Sequence, residues 1–236
     1  MQRYFATNID GNIVLSKDDI FHITKVMRAK KGDHFEVNDN SKVYLCEVTD
    51  LAPFSFEIIS ENTENHELDG FIRLLYCLPK GEKTDLVIQK SVELGVNEIV
   101  LINSERSVAK ITNDKKEKKI ERFNKIIKEA SEQSKRSKLT KLTDVINFDE
   151  IGNYKADVNL IAYEKSALNL DEVKSLLGDI KGKSVNVIVG AEGGISEKEL
   201  SIALANDYKV ISLGKRILRS ETACFYILSL LSFYMD

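Results

Sequence analysis

The sequence predicts an α/β protein in which a small β-rich domain precedes a larger domain built on a parallel sheet. Residues 1–70 show short strand patterns separated by turn residues. After them, the apolar runs Ile72–Leu78 and Glu98–Ile102 flank a helical pattern over Asp85–Leu94, which gives a strand–helix–strand unit. Near the C-terminus, the apolar run Val185–Val189 ends abruptly at a glycine, as buried parallel strands do.

Residues 1–70 are predicted to close as a small β-barrel or sandwich with one helix. Asp10 and Gly11 form the turn of a hairpin, and Ser16 is placed to cap the helix. The predicted elements are strands Arg3–Ala6 and Asn12–Leu15, a helix over Lys17–Met27, and strands His34–Val37, Lys42–Thr49 and Ser55–Ile59. Glu61–Gly70 is polar and is predicted to be the linker.

From Phe71 onward, strands alternate with helices, which predicts a second domain over residues 71–236 with helices on both faces of its sheet. The further predicted strands are Lys141–Ile146, Val158–Tyr163, Val185–Val189 and Lys209–Leu213. The further predicted helices are Lys115–Ser134, Leu170–Leu177, a helix after Ser196 and a helix that Ser220, Glu221 and Thr222 begin and that continues to Tyr234. The last helix is apolar on nearly every face, so it must be buried in the core or against another subunit.

Two glycine-punctuated turns near the C-terminus are the strongest candidates for a binding site. Ala191–Gly194 joins a predicted strand to a helix that Ser196 and Glu199 cap with the Ser-x-x-Glu spacing. Such a turn leaves backbone N–H groups unpaired, which suits a polar cofactor. Gly214 begins a second, basic loop of the same kind. The alternative is that both are ordinary turns, and the Rossmann and P-loop fingerprints are absent from the sequence.

Composition is that of a soluble globular protein, with 43% hydrophobic and 30% charged residues. The three cysteines are odd in number and form no C-x-x-C pair, which predicts a reducing compartment and neither a disulfide framework nor a zinc site. The three histidines are scattered, so no metal is expected. The longest apolar stretch, Cys224–Met235, is shorter than the roughly 20 residues that span a bilayer. We therefore expect a cytoplasmic protein without a membrane partner.

The net charge of −3 conceals a local basic segment. Residues 1–70 carry 7 basic and 13 acidic side chains, whereas the stretch Arg106–Lys141 carries 13 basic and 5 acidic ones. A basic segment of this size suits phosphate binding. The alternative is that it is the solvated face of a helix.

Several separated segments resemble one known family. They are FHITKVMRAKKGDHFEV (Phe21–Val37), KGEKTDLVIQKSVELGVNEI (Lys80–Ile99), EASEQSKRS (Glu129–Ser137), GAEGGISEKEL and LGKRILRSETA. In content and order they are similar to the SPOUT-superfamily methyltransferases that modify N(3) of a uracil in small-subunit ribosomal RNA. The resemblance covers essentially the whole chain. Ala191 and Lys215 depart from it, because proline is expected at both of these loop positions.

The resemblance implies a C-terminal SPOUT methyltransferase domain with a trefoil knot and an N-terminal PUA-like RNA-binding domain. It also implies a homodimer, S-adenosyl-L-methionine as cofactor and small-subunit (16S) ribosomal RNA as partner. The cofactor-binding residues that it implies belong to three loops and are Ala162, Tyr163, Glu164, Gly190, Ala191, Glu192, Gly193, Ile211, Leu213, Gly214, Ile217, Leu218 and Arg219.

The candidate catalytic residues are Arg219, Glu221 and Arg136, and the candidate RNA-binding residues are Arg3, Arg28, Lys30, Lys31 and Arg136. A guanidinium at Arg219 suits a uracil carbonyl or a phosphate, but it could also pair with Glu221. Glu221 is a candidate general base or a first-turn residue that complements the helix dipole. Glu192 is a candidate ligand of a cofactor hydroxyl or a residue that satisfies its own turn. Glu132, Gln133 and Arg136 are candidates to reach the substrate pocket or the dimer partner, with a structural role as the alternative for Glu132 and Arg136.

Three functions fit these residues. The first is uracil-N(3) methylation of ribosomal RNA, and the second is methylation of a ribose or a transfer-RNA base by an enzyme of the same fold. The third is RNA binding without catalysis. The N-terminal domain and the EQSKR segment favour the first.

Overall fold

The chain is described here by a computed structural model that covers residues 1–79, 83–107, 111, 113–164 and 170–236. Lys80–Glu82, the first residues of one motif quoted above, lie outside these ranges. The chain divides into two compact units. The first contains Met1–Glu67 and Ser131–Leu139, and the second contains Leu68–Ala130 and Thr140–Asp236. A division at residue 70 alone places Ser131–Leu139 in the second unit, whereas their contacts place them in the first.

The first unit contains a four-stranded sheet and a separate hairpin. Its strands are β1 (Arg3–Phe5), β2 (Thr7–Ile9), β3 (Asn12–Val14), β4 (His34–Asn38), β5 (Val43–Leu51) and β6 (Phe54–Asn62). The sheet has the order β1-β4-β5-β6, and β2 pairs with β3 alone. Strand β1 runs parallel to β4, with Arg3 opposite Glu36, and the other pairs are antiparallel.

The predicted hairpin between Arg3–Ala6 and Asn12–Leu15 is wrong in its first strand. Asp10 and Gly11 both have positive φ, at 50° and 85°, and they join Thr7–Ile9 directly to Asn12–Val14. A two-residue turn of this kind fixes the register on the residues that flank it, which excludes a more distant partner. Strand β1 is therefore left to pair with β4 in the main sheet.

The helix of the first unit is shorter than the predicted Lys17–Met27. Ser16 caps α1 (Lys17–Phe21) by accepting a hydrogen bond from the Asp19 backbone N–H. The chain then continues as a π-helical turn over His22–Val26. Within it, the Thr24 hydroxyl donates to the Ile20 carbonyl at 2.8 Å. Such a bond competes with the regular helical pattern and bends helices.

The second unit is organised around a six-stranded sheet in which all neighbouring strands are parallel. The strands are β7 (Phe71–Cys77), β8 (Glu98–Asn103), β9 (Lys141–Asn147), β10 (Val158–Ala162), β11 (Ser184–Val189) and β12 (Lys209–Ile211). Their order is β12-β10-β11-β7-β8-β9.

Helices cover both faces of this sheet, as the alternating pattern predicts. They are α2 (Lys83–Glu93), α3 (Asn113–Gln133), α4 (Leu170–Leu177), α5 (Glu197–Ala205) and α6 (Ser220–Met235), with a 3₁₀-helix at Phe148–Asn153. Successive strand residues point to opposite faces. Leu74 and Tyr76 therefore join the hydrophobic cluster that contains α2, α4 and α6, whereas Leu75 and Cys77 join the one that contains α5 and the 3₁₀-helix.

Helix α6 packs into the core on one side only, so of the two alternatives, the core or another subunit, the core accounts for the burial of one side. Cys224, Leu228 and Leu231 have no exposed surface and pack into the core. Tyr226 and Phe233 remain 42% and 75% exposed. No helix within the described ranges is long and apolar enough to cross a membrane.

The glycine that follows helix α2 provides a test of the packing in the second unit. Beyond the end of this helix, Gly95 has φ +87°, and an added Cβ would lie 2.5 Å from Leu68 Cδ1. Gly182 has a similar φ of +73° but open space around it. We expect Gly95→Ala to lower the free energy of unfolding by about 2–4 kcal/mol, because strain and overpacking add.

The matched variant Gly182→Ala introduces backbone strain without overpacking, so its free energy of unfolding should fall by only about 1 kcal/mol. Urea unfolding followed by circular dichroism measures both values. Equal losses in the two variants would show that the contact with Leu68 contributes nothing.

Candidate active site

Three neighbouring parallel strands end at the same edge of the sheet and carry the loops that form the candidate site. Strand β10 ends at Ala162, β11 at Val189 and β12 at Ile211, and the order β12-β10-β11 makes them adjacent. In open α/β sheets, ligands bind outside the carboxyl ends of the strands. The three loops that follow these strands therefore meet where a ligand is expected.

The first of these loops, Gly190–Ile195, is fixed against the loop that follows β8. An Arg106 Nη1 atom donates to the Gly193 carbonyl at 3.1 Å and to the Ile195 carbonyl at 3.2 Å. A Cβ added at Gly193 would lie 2.8 Å from Arg106 Cβ and 3.1 Å from its carbonyl oxygen. Only glycine therefore allows the two backbones to approach this closely.

The helix that follows the loop is tied to the same neighbouring segment. Ser196 and Glu199 form the predicted capping box at the start of α5. The Ser196 hydroxyl also donates to a Glu105 carboxylate oxygen at 2.7 Å, and the Glu105 backbone N–H donates to Glu199 at 2.7 Å. Because these groups are partly or fully buried, the hydrogen bonds fix the direction in which α5 leaves the loop.

The second loop, Ser212–Arg219, is joined to the first through the start of α6. The Ser220 hydroxyl donates to the Gly190 carbonyl at 2.6 Å and contacts the Tyr76 hydroxyl at 3.0 Å. Burial raises the pKa of Tyr76 far above its usual range, so this phenol stays neutral. The two loops are thus bonded to each other at their base.

Between the loops lies a cavity of about 390 Å³. This volume falls within the range of small-molecule sites. Its lining consists of Ala162, Tyr163, Glu164, Val189, Gly190, Ala191, Glu192, Gly193, Gly194, Ile195, Ser212, Leu213, Gly214, Arg216, Ile217, Leu218, Arg219, Ser220 and Ala223. Every residue that the resemblance assigns to the cofactor lines this cavity except Ile211, which is buried within β12.

A lysine that was missed in the sequence lies beside the cavity. Lys83 Nζ is 3.2 Å from Glu192 Oε1 and 3.3 Å from Glu221 Oε2. Glu192 lines the cavity, whereas Glu221 lies in the first turn of α6 and does not. Arg219 is the N-cap residue of α6, is exposed and lines the cavity. The sequence allows an ion pair between Arg219 and Glu221, but in the structure Glu221 pairs with Lys83.

Nucleophilic cysteine chemistry is excluded at this site. Cys77 and Cys224 are buried, and burial raises the pKa of each thiol to about 12. Thiols at such a pKa carry almost no thiolate at neutral pH. Among the described residues, no group of three His, Cys, Asp or Glu side chains converges as a metal site.

Comparison with known proteins identifies the family. A family model described as an RNA methyltransferase domain matches residues 66–232. A second model, described as an RNA methyltransferase PUA domain, matches residues 15–59. The chain belongs to the RNA methyltransferase family.

Relatives within this family match the chain over its whole length. The ribosomal RNA small subunit methyltransferase E of Bacillus subtilis is 33% identical, over 100% of this chain and 98% of its own. A crystal structure of ribosomal RNA small subunit methyltransferase E from Neisseria gonorrhoeae bound to S-adenosyl methionine is 27% identical, with a TM-score of 0.85 over 99% of this chain and 97% of its own. A Legionella pneumophila structure that contains the bound cofactor SAM is 27% identical, with a TM-score of 0.88 over 98% of this chain and 96% of its own.

Two of the arginines predicted to act on RNA are buried in the unit that contains the PUA match. Arg3 is 1% exposed and forms an ion pair with Glu36 at 3.0 Å. It also donates to the carbonyls of Lys135 and Arg136. Arg136 is 2% exposed and forms a two-pronged contact with the Glu67 carboxylate at 2.9 and 2.7 Å. Both guanidinium groups are therefore occupied within the first unit.

The other three predicted RNA-binding residues of this unit, Arg28, Lys30 and Lys31, are exposed. Arg28 has φ +53°, at the turn that follows the π-helical segment. A count of charges in the sequence does not show that these residues are exposed and Arg3 is buried, because the burial of Arg3 depends on the pairing of β1 with β4.

The contacts of the Glu67 carboxylate predict that Arg136 stabilises the fold. Burial alone would raise the pKa of Glu67, but the Arg136 guanidinium and the N–H groups of Ser137 and Lys138 outweigh it and hold the pKa below its usual range. We expect Arg136→Met to lower the free energy of unfolding by about 3 kcal/mol, because it leaves a buried carboxylate without its cation. Chemical denaturation at neutral pH measures the loss.

Lys138→Met is the matched control, since this exposed lysine contributes only its backbone N–H to Glu67. The pKa of Glu67 is lowered on folding, so the stabilisation is present above the unfolded pKa and is lost as the pH falls through the folded one. Unchanged stability of Arg136→Met would leave Arg136 free for a role at the RNA.

Proposed function

We propose that this protein transfers the methyl group of S-adenosylmethionine to N(3) of a specific uridine in small-subunit ribosomal RNA. The observation that supports the proposal most strongly is the cavity at the carboxyl ends of β10, β11 and β12, which is lined by 12 of the 13 residues implied for the cofactor. Membership of the RNA methyltransferase family and relatives named ribosomal RNA small subunit methyltransferase E support the substrate class.

The residues around the cavity fit S-adenosylmethionine. Leu213, Leu218 and Ala223 give apolar surface for an adenine ring, and Glu164 and Glu192 give carboxylates for hydroxyl and cationic groups. The glycine loop presents backbone groups at close range, because Arg106 holds it against the neighbouring segment. When bound, S-adenosylmethionine supplies an electrophilic methyl group on a sulfonium centre.

Methyl transfer needs little side-chain chemistry beyond orientation. The N(3)–carbon bond forms as the sulfur–carbon bond breaks, and the N(3) proton leaves to water. We assign to Arg219 the stabilisation of the negative charge that develops on a uracil carbonyl, since its exposed guanidinium borders the cavity. We assign Glu221 a structural role, because it does not line the cavity and faces Lys83.

Binding of the RNA is assigned to exposed basic side chains. We assign phosphate contacts on the first unit to Arg28, Lys30 and Lys31, because all three are exposed. The basic helix α3 adds exposed cations such as Lys118 and Lys125. A ribosomal RNA substrate and three buried, unpaired cysteines fit a cytoplasmic protein.

We also propose that the protein is a homodimer. The apolar side chains Ile217, Tyr226 and Phe233 are 89%, 42% and 75% exposed in the single chain. All three lie on α6 or on the loop before it. Tyr226 and Phe233 are seven residues apart on α6 and therefore share one face of the helix, which a second copy would bury.

The substrate assignment is tested with ribosomal RNA from cells that lack this protein. We expect the purified protein and S-adenosylmethionine to add one methyl group to this RNA. A methyl group on N(3) blocks base pairing, so reverse transcription should stop at a single uridine. A product on a ribose, or methylation of transfer RNA instead, would contradict the proposal. Failure to bind S-adenosylmethionine at all would favour RNA binding without catalysis.

Arg219→Ala is expected to lower the transfer rate by about 100-fold while the affinity for S-adenosylmethionine changes less than about threefold. The reason is that we assign the Arg219 guanidinium to the base, so its removal leaves the other 11 of the 12 lining residues implied for the cofactor unchanged. Single-turnover rates and calorimetry measure the two quantities separately. Lys215→Ala is the control, because this exposed residue lies in the same loop but does not line the cavity. A normal rate in Arg219→Ala would make its role structural.

A further inference from the structure

Lys83 is the first residue of α2 and lies between two carboxylates, one in the glycine loop and one in the first turn of α6. Its ammonium nitrogen is 3.2 Å from Glu192 in the glycine loop and 3.3 Å from Glu221 at the start of α6. No local sequence pattern connects these three residues. Lys83 and Glu192 are more than 100 positions apart along the chain. The sheet brings them together.

The charges of this group depend on the lysine. Glu221 Oε2 is a buried atom that accepts no hydrogen bond from the described residues, so the nearby ammonium is its charge partner. The hydrogen bond to Glu192 is the main influence that raises the pKa of Lys83, and the contact with Glu221 adds to it. The lysine therefore stays protonated. Without the lysine, the two carboxylates would repel each other across the same gap.

The geometry also connects the two walls of the cavity. Glu192 lines the cavity, whereas Lys83 and Glu221 do not. The neighbour of Glu221, Ser220, already bonds to the Gly190 carbonyl at 2.6 Å. Lys83, on α2, adds a second link between the glycine loop and the start of α6. Its side chain is 36% exposed and that of Glu221 is 15% exposed, so the link is only partly screened by water.

We propose that Lys83 is a positioning residue for the cofactor: it holds the Glu192 carboxylate at the cavity and anchors it to Glu221. The inference rests on the proposed function, because it gives Glu192 a role in holding S-adenosylmethionine. Lys83 itself contacts neither the cofactor nor the base. It acts through Glu192, which lines the cavity.

Calorimetric titration with S-adenosylmethionine tests the proposal without any need for turnover. We expect Lys83→Met to weaken binding about tenfold, as loss of a charged hydrogen bond does when it is partly shielded. Lys83→Arg should restore affinity to within about threefold, since it returns the positive charge. Lys90→Met is the matched control, because Lys90 lies on the same helix and, among the described residues, its ammonium pairs with Glu93 alone.

A double-mutant cycle separates positioning from general stability. Glu192→Gln should weaken the binding of S-adenosylmethionine. Adding Lys83→Met to Glu192→Gln should weaken that binding by less than about a further twofold. Additive losses would overturn the proposal, as would normal affinity in Lys83→Met. Weaker RNA binding with normal cofactor affinity would overturn it too, because Lys83 would then be a phosphate contact. Thermal unfolding of each variant shows that it is folded.

The two proposals fail in different ways. If the wild-type protein does not bind S-adenosylmethionine, the proposed function fails, and the role of Lys83 fails with it. If the wild-type protein binds and Lys83→Met binds equally well, only the role of Lys83 is wrong.

Discussion

The candidate site depends on one close approach between two backbone segments. At Gly193 the loop after β11 touches Arg106 so closely that an added Cβ would lie 2.8 Å from the Arg106 Cβ. The arginine then donates hydrogen bonds to two carbonyls of the same loop. A flexible glycine turn is costly to order, since glycine loses more conformational freedom than other residues. The arginine and the Glu105–Ser196 bond offset that cost, and the loop holds one shape beside the cavity.

Orientation is the main contribution that such a site can make to methyl transfer. Both reacting groups must be aligned within a few tenths of an ångström, and rigid supports supply this alignment. Here Ser220, which lines the cavity, ties the second loop to Gly190, and Lys83, which does not line it, links Glu192 to Glu221. These contacts give loops rich in glycine the supports that a rigid site needs.

The sequence predicts the parts of this structure that local pattern determines. The strand–helix–strand unit, the capping box at Ser196 and Glu199, and the glycine loop all depend on residues close together in the chain. Long-range pairing is where prediction fails. The partner of β1 is 33 residues away, and the burial of Arg3 follows from that pairing. Lys83 and Arg106 were missed for the same reason, because their contacts lie on loops more than 80 residues further along. The trefoil knot and the homodimer, implied by resemblance, stay predictions.

The affinity of Gly193→Ala for S-adenosylmethionine measures whether the close approach at Gly193 shapes the site. We expect a loss of at least about tenfold, because the added methyl group must push the loop away from Arg106. Gly178→Ala is the comparison, since its Cβ would meet its nearest neighbour at an ordinary 3.4 Å. That variant should bind as the wild type does, and both should unfold cooperatively. Wild-type affinity in Gly193→Ala would contradict the account, because the close approach would then have no bearing on the site.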